Sequence, residues 1–180
     1  MKISNIYCFA TTVATLIMLI LILSTTALAV THTVDDDGNK NYTTIQAAIN
    51  AANDSDTIIV YNGTYKENVN VNKSVIIMSE SGNPNDTRIV ANDSNDHVFH
   101  ITRNNVTISG FNITDASAFL NVGIFLDGVQ NNNISNNELS YNFKGISLDE
   151  SSNNKLINNT ANSNNYYGNK TVPKLYNKFT

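Results

Sequence analysis

Apolar residues recur at every second position in short bursts along this chain, and polar turns separate the bursts. Ile58 and Val60, Val69 and Val71, Val75 and Ile77, Phe99 and Ile101, Val106 and Ile108, and Phe111 and Ile113 all keep this spacing. Such alternation marks short strands with one buried face. Gly63, the run Gly82-Asn83-Pro84-Asn85 and the run Asn92-Asp93-Ser94-Asn95-Asp96 punctuate them as turns. Further along, a longer period appears. Gly123-Ile124-Phe125-Leu126-Asp127 returns twenty-two residues later as Gly145-Ile146-Ser147-Leu148-Asp149. The same offset carries Asn136-Asn137 to Asn158-Asn159 and Asn142 to Asn164. A unit this short cannot bury its own apolar face and must stack on its neighbour. Short parallel strands stacked one per coil make an all-β solenoid, a parallel β-helix of about 22 residues per coil. The step from Ile108 to Ile134 is four residues longer, and the extra residues are assigned to a bulging loop at 115–121.

One segment has a different period. Ile45, Ala48, Ile49 and Ala52 form a single helical stripe, so residues 43–52 are expected to be a helix. Thr43 with Gln46 fits a capping box, and Asn53-Asp54-Ser55-Asp56 ends the element. A stack of coils exposes its first rung, and a one-sided helix is a suitable cap for it. Ahead of the helix, residues 30–42 read as a polar leader with a turn at Asp37-Gly38. The β-helix is expected to span 43–168. Beyond it the repeat decays and Pro173 lacks a backbone donor, so residues 169–180 are expected to be an irregular tail. That would leave the last rung bare and open to another copy of the chain.

Residues 1–29 stand apart. Lys2 precedes an almost wholly apolar run from Phe9 to Leu23, and Ala27-Leu28-Ala29 fits the small-x-small pattern of a secretory signal. Cleavage there would start the mature chain at Val30 and place it outside the cell or on its surface. An uncleaved segment would be the only link to a membrane. Cys8 is the one cysteine and would leave with the signal, so no disulfide is expected.

Composition adds two points. The chain is 41% apolar and only 14% charged, with net charge −4 and no basic patch, which argues against a nucleic-acid partner. There are 32 asparagines, and they fall between the apolar positions at a steady period. Asparagine tolerates left-handed backbone and its amide can bond a neighbouring coil, so asparagine ladders suit the corners. Eleven Asn-x-Ser/Thr triplets are candidate N-glycosylation sites, at Asn41, Asn53, Asn62, Asn72, Asn85, Asn92, Asn105, Asn112, Asn133, Asn158 and Asn169.

Tyr42-Thr43-Thr44-Ile45-Gln46-Ala47-Ala48-Ile49, Asp56-Thr57-Ile58-Ile59-Val60 and Gly63-Thr64-Tyr65-Lys66-Glu67-Asn68-Val69 resemble the opening of pectin-lyase-like right-handed β-helix proteins, with pectinesterases opening similarly. The later Asn-Asn and Gly-Ile-x-Leu coils resemble the repeats of NosD-like and archaeal cell-surface proteins. The resemblance covers residues 41–167. It implies a right-handed, single-stranded parallel β-helix, a fold that hosts lyases, esterases and inert surface modules alike.

The active-site phrases of those enzymes are missing. No Asp-Phe-x-Phe-Gly, Trp-Ile-Asp-His, Asn-Thr-Asp or Gly-His-Gly phrase occurs, and Arg88 and Arg103 are the only arginines. Asp127 and Asp149 are the one candidate catalytic pair, since one-coil spacing would set their carboxylates about 5 Å apart, a separation suited to acid/base work or to holding a calcium ion. The competing reading is that each simply ends a strand. Asp35-Asp36-Asp37-Gly38-Asn39 lacks the ligand spacing of a calcium loop. His97 and His100, three apart on an expected strand, are read as pointing to opposite faces, which leaves copper poorly served. Neither a metal nor another cofactor is assigned. Tyr61 and Tyr65, then Tyr166 and Tyr167, are candidates for stacking on sugars, with Tyr65 more simply a packed residue. The expected function is an exported, non-catalytic β-helix module that binds cell-surface glycans or copies of itself. The alternatives are a fragment of a carbohydrate-active enzyme and, less favoured, a NosD-like copper accessory.

Overall fold

A computed structural model describes residues 28–165 and 170–177. The chain winds as a right-handed parallel β-solenoid of about six turns, averaging about 24 residues each, with one short helix near its start. Each full coil carries three short strands, where the alternation alone had suggested one. The first face stacks β1 (Thr31–Val34), β2 (Thr57–Val60), β5 (Ile76–Ser79), β8 (Thr107–Ser109), β11 (Asn133–Ser135) and the first part of β14 (Asn154–Asn162). The second stacks β3 (Gly63–Lys66), β6 (Thr87–Val90), β9 (Asn112–Thr114), β12 (Glu138–Ser140) and the second part of β14. The third stacks β4 (Val69–Val71), β7 (Phe99–Ile101), β10 (Val122–Asp127) and β13 (Lys144–Asp149). The stretch expected to be a polar leader therefore begins as a strand, because β1 pairs in parallel with β2 from Thr31↔Thr57 to Val34↔Val60.

Left-handed residues make the corners. In three successive coils, positive φ occurs at Asn105, Gly110 and Asp115, then Asn131, Asn136 and Tyr141, then Asn153, Asn158 and Ser163. A left-handed residue turns the strand sharply, at little cost for asparagine and glycine. The residue after each corner points inward. In the first of these coils the inward residues are Val106, Phe111 and Ala116, and in the next two they are asparagines, all buried. Asn132, Asn137 and Asn142 accept bonds from the main-chain nitrogens of Val106, Phe111 and Ala116 at 2.7, 3.1 and 3.0 Å. Asn154, Asn159 and Asn164 do the same for Asn132, Asn137 and Asn142. The expected ladders are thus buried columns that supply the backbone at corners with partners the strands cannot give.

Between the corners the core is apolar. Ile58, Ile77, Ile108, Ile134 and Leu156 lie in one buried column of the first face. Ile124 stacks on Ile146 and Leu126 on Leu148, as the repeat required. Ile146 and Leu148 are only partly buried, because among the described residues β13 is the last strand of its face. The twenty-two-residue period holds between β10 and β13 but not earlier, where Ile77 to Ile108 is thirty-one because long turns sit between β5, β6 and β7.

The helix, α1 (Ile45–Ala51), covers the first coil with Ile45, Ala48 and Ile49 buried. It starts later than the capping box implied. Thr44 is the N-cap and its side chain accepts from Ala47 N at 3.2 Å. The carboxylate of Glu67, from the next coil, accepts from Ile45 N and Gln46 N at 2.8 and 3.0 Å. Gln46 is freed for another task. Its amide accepts from Asn70 N at 2.8 Å and donates to Asn70 O at 3.4 Å, so it stands in for a missing strand beside β4. Lys73 closes the helix by donating to Asn50 O and Ala52 O.

At the far end the expectation of an irregular tail and a bare rung is corrected. Strand β15 (Lys170–Asn177) pairs antiparallel with β14, from Asn154↔Asn177 to Ala161↔Lys170. Pro173 is compatible with this because β15 is an edge strand and one of its two sides needs no donors.

Candidate functional site

The outward positions of the third face form a row of one residue per coil: Asn70, His100, Phe125 and Ser147. His100 stacks on Phe125 at 5.4 Å with a 25° tilt. His97, just before β7, packs on Phe125 at 4.7 Å and on His100 edge-on at 5.6 Å. The two histidines therefore meet in one aromatic cluster. Strand alternation would set them on opposite faces, but His97 precedes the strand Phe99–Ile101 and is not bound by its alternation. Its ring is fixed from behind, with Nδ1 accepting from Val122 N at 3.0 Å. Burial, and then the neighbouring His100, hold the His97 imidazole below its usual pKa.

A groove of about 530 Å³ runs beside this row, lined by His97, Phe125, Leu120, Asn121, Lys144 and Asp149 among others. Its wall is the loop at 115–121, which has four more residues than the 141–143 connection one coil later. The insertion read from the sequence thus builds the groove. Phe119 at the loop tip packs edge-on against Phe143 at 5.2 Å.

Asp127 and Asp149 are register partners on neighbouring strands, both exposed. Asp127 also meets His100, with Nε2 and Oδ2 3.2 Å apart. That contact was not anticipated, because His100 lies one coil away and outside the repeated phrase. Neither arginine reaches the groove. Arg88 pairs with Asp115 at 3.3 Å and Arg103 with Asp54 at 3.2 Å.

Other candidates resolve structurally. Tyr65 is buried, its hydroxyl donates to Tyr61 O at 3.0 Å, and burial raises its pKa well above the usual phenol value. Tyr61 lies under the Lys40 ammonium at 4.2 Å. Asp35, Asp36 and Asp37 bring carboxylate oxygens within 4.8 Å of one another, but Asp36 and Asp35 already accept from Thr64 N and Asp37 N. Of the glycosylation triplets, Asn41, Asn53, Asn62, Asn72, Asn85, Asn92, Asn105 and Asn158 are exposed, whereas Asn112 and Asn133 are half-buried. Asn169, Tyr166, Tyr167 and residues 1–27 of the signal segment lie outside the described residues.

A family model described as "Periplasmic copper-binding protein (NosD)" matches residues 49–172. The chain belongs to the NosD family. No curated protein sequence matches this NosD-family chain. Among solved structures it is similar to a pectin methylesterase in complex with hexasaccharide VII, with TM-score 0.57 and 14% identity over 76% of this chain and 53% of that one. A pectin methylesterase mutant in complex with hexasaccharide IV aligns with TM-score 0.55 and 13% identity, over 76% and 56%. At these identities the likeness concerns the fold. The NosD-family chain spans about half the length of the methylesterases it matches.

Proposed function

We propose that the protein is an exported, non-catalytic β-helix module of a cell surface or extracellular space, and that its third face binds glycan chains. The observation carrying this reading is the groove beside the His97–His100–Phe125 cluster. It offers an aromatic floor with amide, hydroxyl, ammonium and carboxylate groups around it, the mixture that holds a polar ring on one apolar face. Solved neighbours of this fold are recorded with bound hexasaccharides, which supports an extended sugar as the ligand class. The family's periplasmic description and the Ala27-Leu28-Ala29 phrase support export.

Binding is favoured over turnover because the one carboxylate–imidazole contact on this face, Asp127 with His100, is open to solvent and has no arginine beside it. Asp127 and Asp149 are both exposed, and both arginines are committed to carboxylates elsewhere. Calorimetric titration with neutral and uronic hexasaccharides tests the reading. Binding lost in Phe125→Ala is expected, without cleavage or de-esterification. Turnover abolished by Asp127→Asn or Asp149→Asn would instead establish the enzyme reading.

The family description raises copper, and the residues here do not fit it. A backbone N–H can only donate, so the bond from Val122 fixes the His97 proton on Nε2. Neither His97 nitrogen then offers a free lone pair. Among the described residues His100 remains as one imidazole on this face, while Met78 lies on β5 of the first face and His32 on β1. Copper needs several imidazole or sulfur ligands converging.

A further inference from the structure

Asp56 follows the helix and is buried, with 2% of its surface exposed. Three donors converge on its carboxylate. Asn53 N reaches Oδ2 at 2.7 Å, His32 Nε2 reaches it at 3.1 Å, and Val30 N reaches Oδ1 at 2.7 Å. Asn53 is the local turn partner. Val30 comes from twenty-six residues away, and its side chain is half exposed, so its nitrogen is the part that is held. Regular pairing of the solenoid also begins at this residue, where Val30 O accepts from Thr57 N at 2.9 Å. Two residues before it, Leu28 is 85% exposed. The small-x-small phrase therefore ends at the residue before the one whose nitrogen meets a buried carboxylate.

We propose that cleavage between Ala29 and Val30 creates an α-ammonium that docks on Asp56 and anchors the first coil. This deepens the export reading above and rests on it. Hydrolysis by water breaks the Ala29–Val30 amide, leaves a carboxylate on Ala29 and leaves an amine on Val30, which takes up the released proton. The new ammonium already stands at hydrogen-bond distance, so the chain need not move. It replaces a neutral donor by a cationic one, and charge-assisted bonds are about twice as strong as neutral ones. His32 is the other titratable group at this carboxylate, while Asp54, two residues back, is turned to Arg103. The backbone donors at Asn53 and Val30 already hold the Asp56 pKa down to about 2, so the anion is present at any ordinary pH. Strand β1 pairs with β2 and lies at the end of its sheet, where an untethered terminus would fray.

The test compares three full-length mature chains released from a fusion: one starting at Val30, one starting at Ala29, and one starting at Val30 with an acetylated amine. The free Val30 chain is expected to melt roughly 2–4 °C above the other two. Its α-amino group should titrate about one unit or more above the ordinary 7.7–8.0. Both differences should vanish in Asp56→Asn. If that variant does not fold, the α-amine titration in the unmutated chain decides. Equal melting of all three chains, with an α-amine at its ordinary pKa, overturns the docking. N-terminal sequencing of the exported protein is scored separately. Val30 supports processing at this bond, while Met1 or another residue rejects it and with it the export reading's cleavage site, whatever the docking comparison shows.

Discussion

Asn137 and Asn159 lie one coil apart, and a single oxygen joins them: Asn159 Oδ1 accepts from Asn137 N at 3.0 Å and from Asn137 Nδ2 at 3.1 Å. Asn159 Nδ2 then donates to Ile134 O at 2.7 Å. One side chain thereby satisfies buried groups on two segments of the preceding coil. Asn159→Ala would leave Asn137 N without its acceptor inside the core, while Asn137 Nδ2 keeps Ile108 O at 3.1 Å. A stranded buried donor costs about 1–3 kcal/mol, so a loss of about 2 kcal/mol is expected in urea unfolding. A change below about 0.5 kcal/mol would show that the ladder bonds are dispensable.

Tyr141 holds a corner with φ 58° although 62% of its surface is exposed. Left-handed backbone costs an ordinary residue about 1–2 kcal/mol, and asparagine or glycine much less. Tyr141→Asn is expected to raise the melting temperature by roughly 2–4 °C, while Tyr141→Val lowers it. The opposite order would mean that the ring contributes packing that outweighs the corner.

The glycines of the repeated phrase make room for the ladder. A Cβ at Gly123 would stand 2.8 Å from Gly145 O and 2.9 Å from Asn142 Nδ2, and one at Gly145 would stand 2.9 Å from Ala161 Cβ. Gly123→Ala meets backbone and is expected to cost the larger part of the 1–3 kcal/mol typical of overpacking. Gly145→Ala meets side chains of a terminal coil and should cost less. Thermal unfolding of the two variants checks the order.

Asp56 sets an acid limit. Its folded pKa is depressed to about 2, first by the backbone donors at Asn53 and Val30. A depressed carboxylate stabilises the fold above its unfolded pKa of about 3.9 and loses that contribution as pH falls toward 2. Stability should therefore drop between about pH 4 and pH 2, and Asp56→Asn should flatten that part of the profile. An unchanged acid limb in the variant would assign the drop to other carboxylates.

The antiparallel strand at the end of the stack should act as a cap. β14 is paired on both sides, by β11 and β12 and by β15, so its amides should be protected from hydrogen exchange through Asn162. Ending the chain at Asn165 removes β15 and bares an edge nine residues long. Sedimentation should then show self-association. A truncated chain that stays monomeric with β14 still protected would show that β15 is not the cap.

The sequence by itself determined the solenoid. Inward residues must repeat at the same coil position to stack, so Ile124 over Ile146, the asparagine pairs and the loop at 115–121 were legible as offsets. The helix was legible for the same reason, since its stripe faces a single rung. Tertiary structure alone decided what crosses between coils without repeating. Asp127 meets His100, Val122 N fixes His97, Glu67 caps the helix, Gln46 pairs with Asn70, and Asp56 reaches Val30. Each joins residues more than twenty positions apart at angles set by corners and loops of unequal length. Periodicity reports which residues share a column, and these contacts run between columns. The three-strand coil was hidden likewise, because a left-handed φ at Tyr141, Asp115 or Ser163 is imposed by the stack above and below rather than by the residue's own preference.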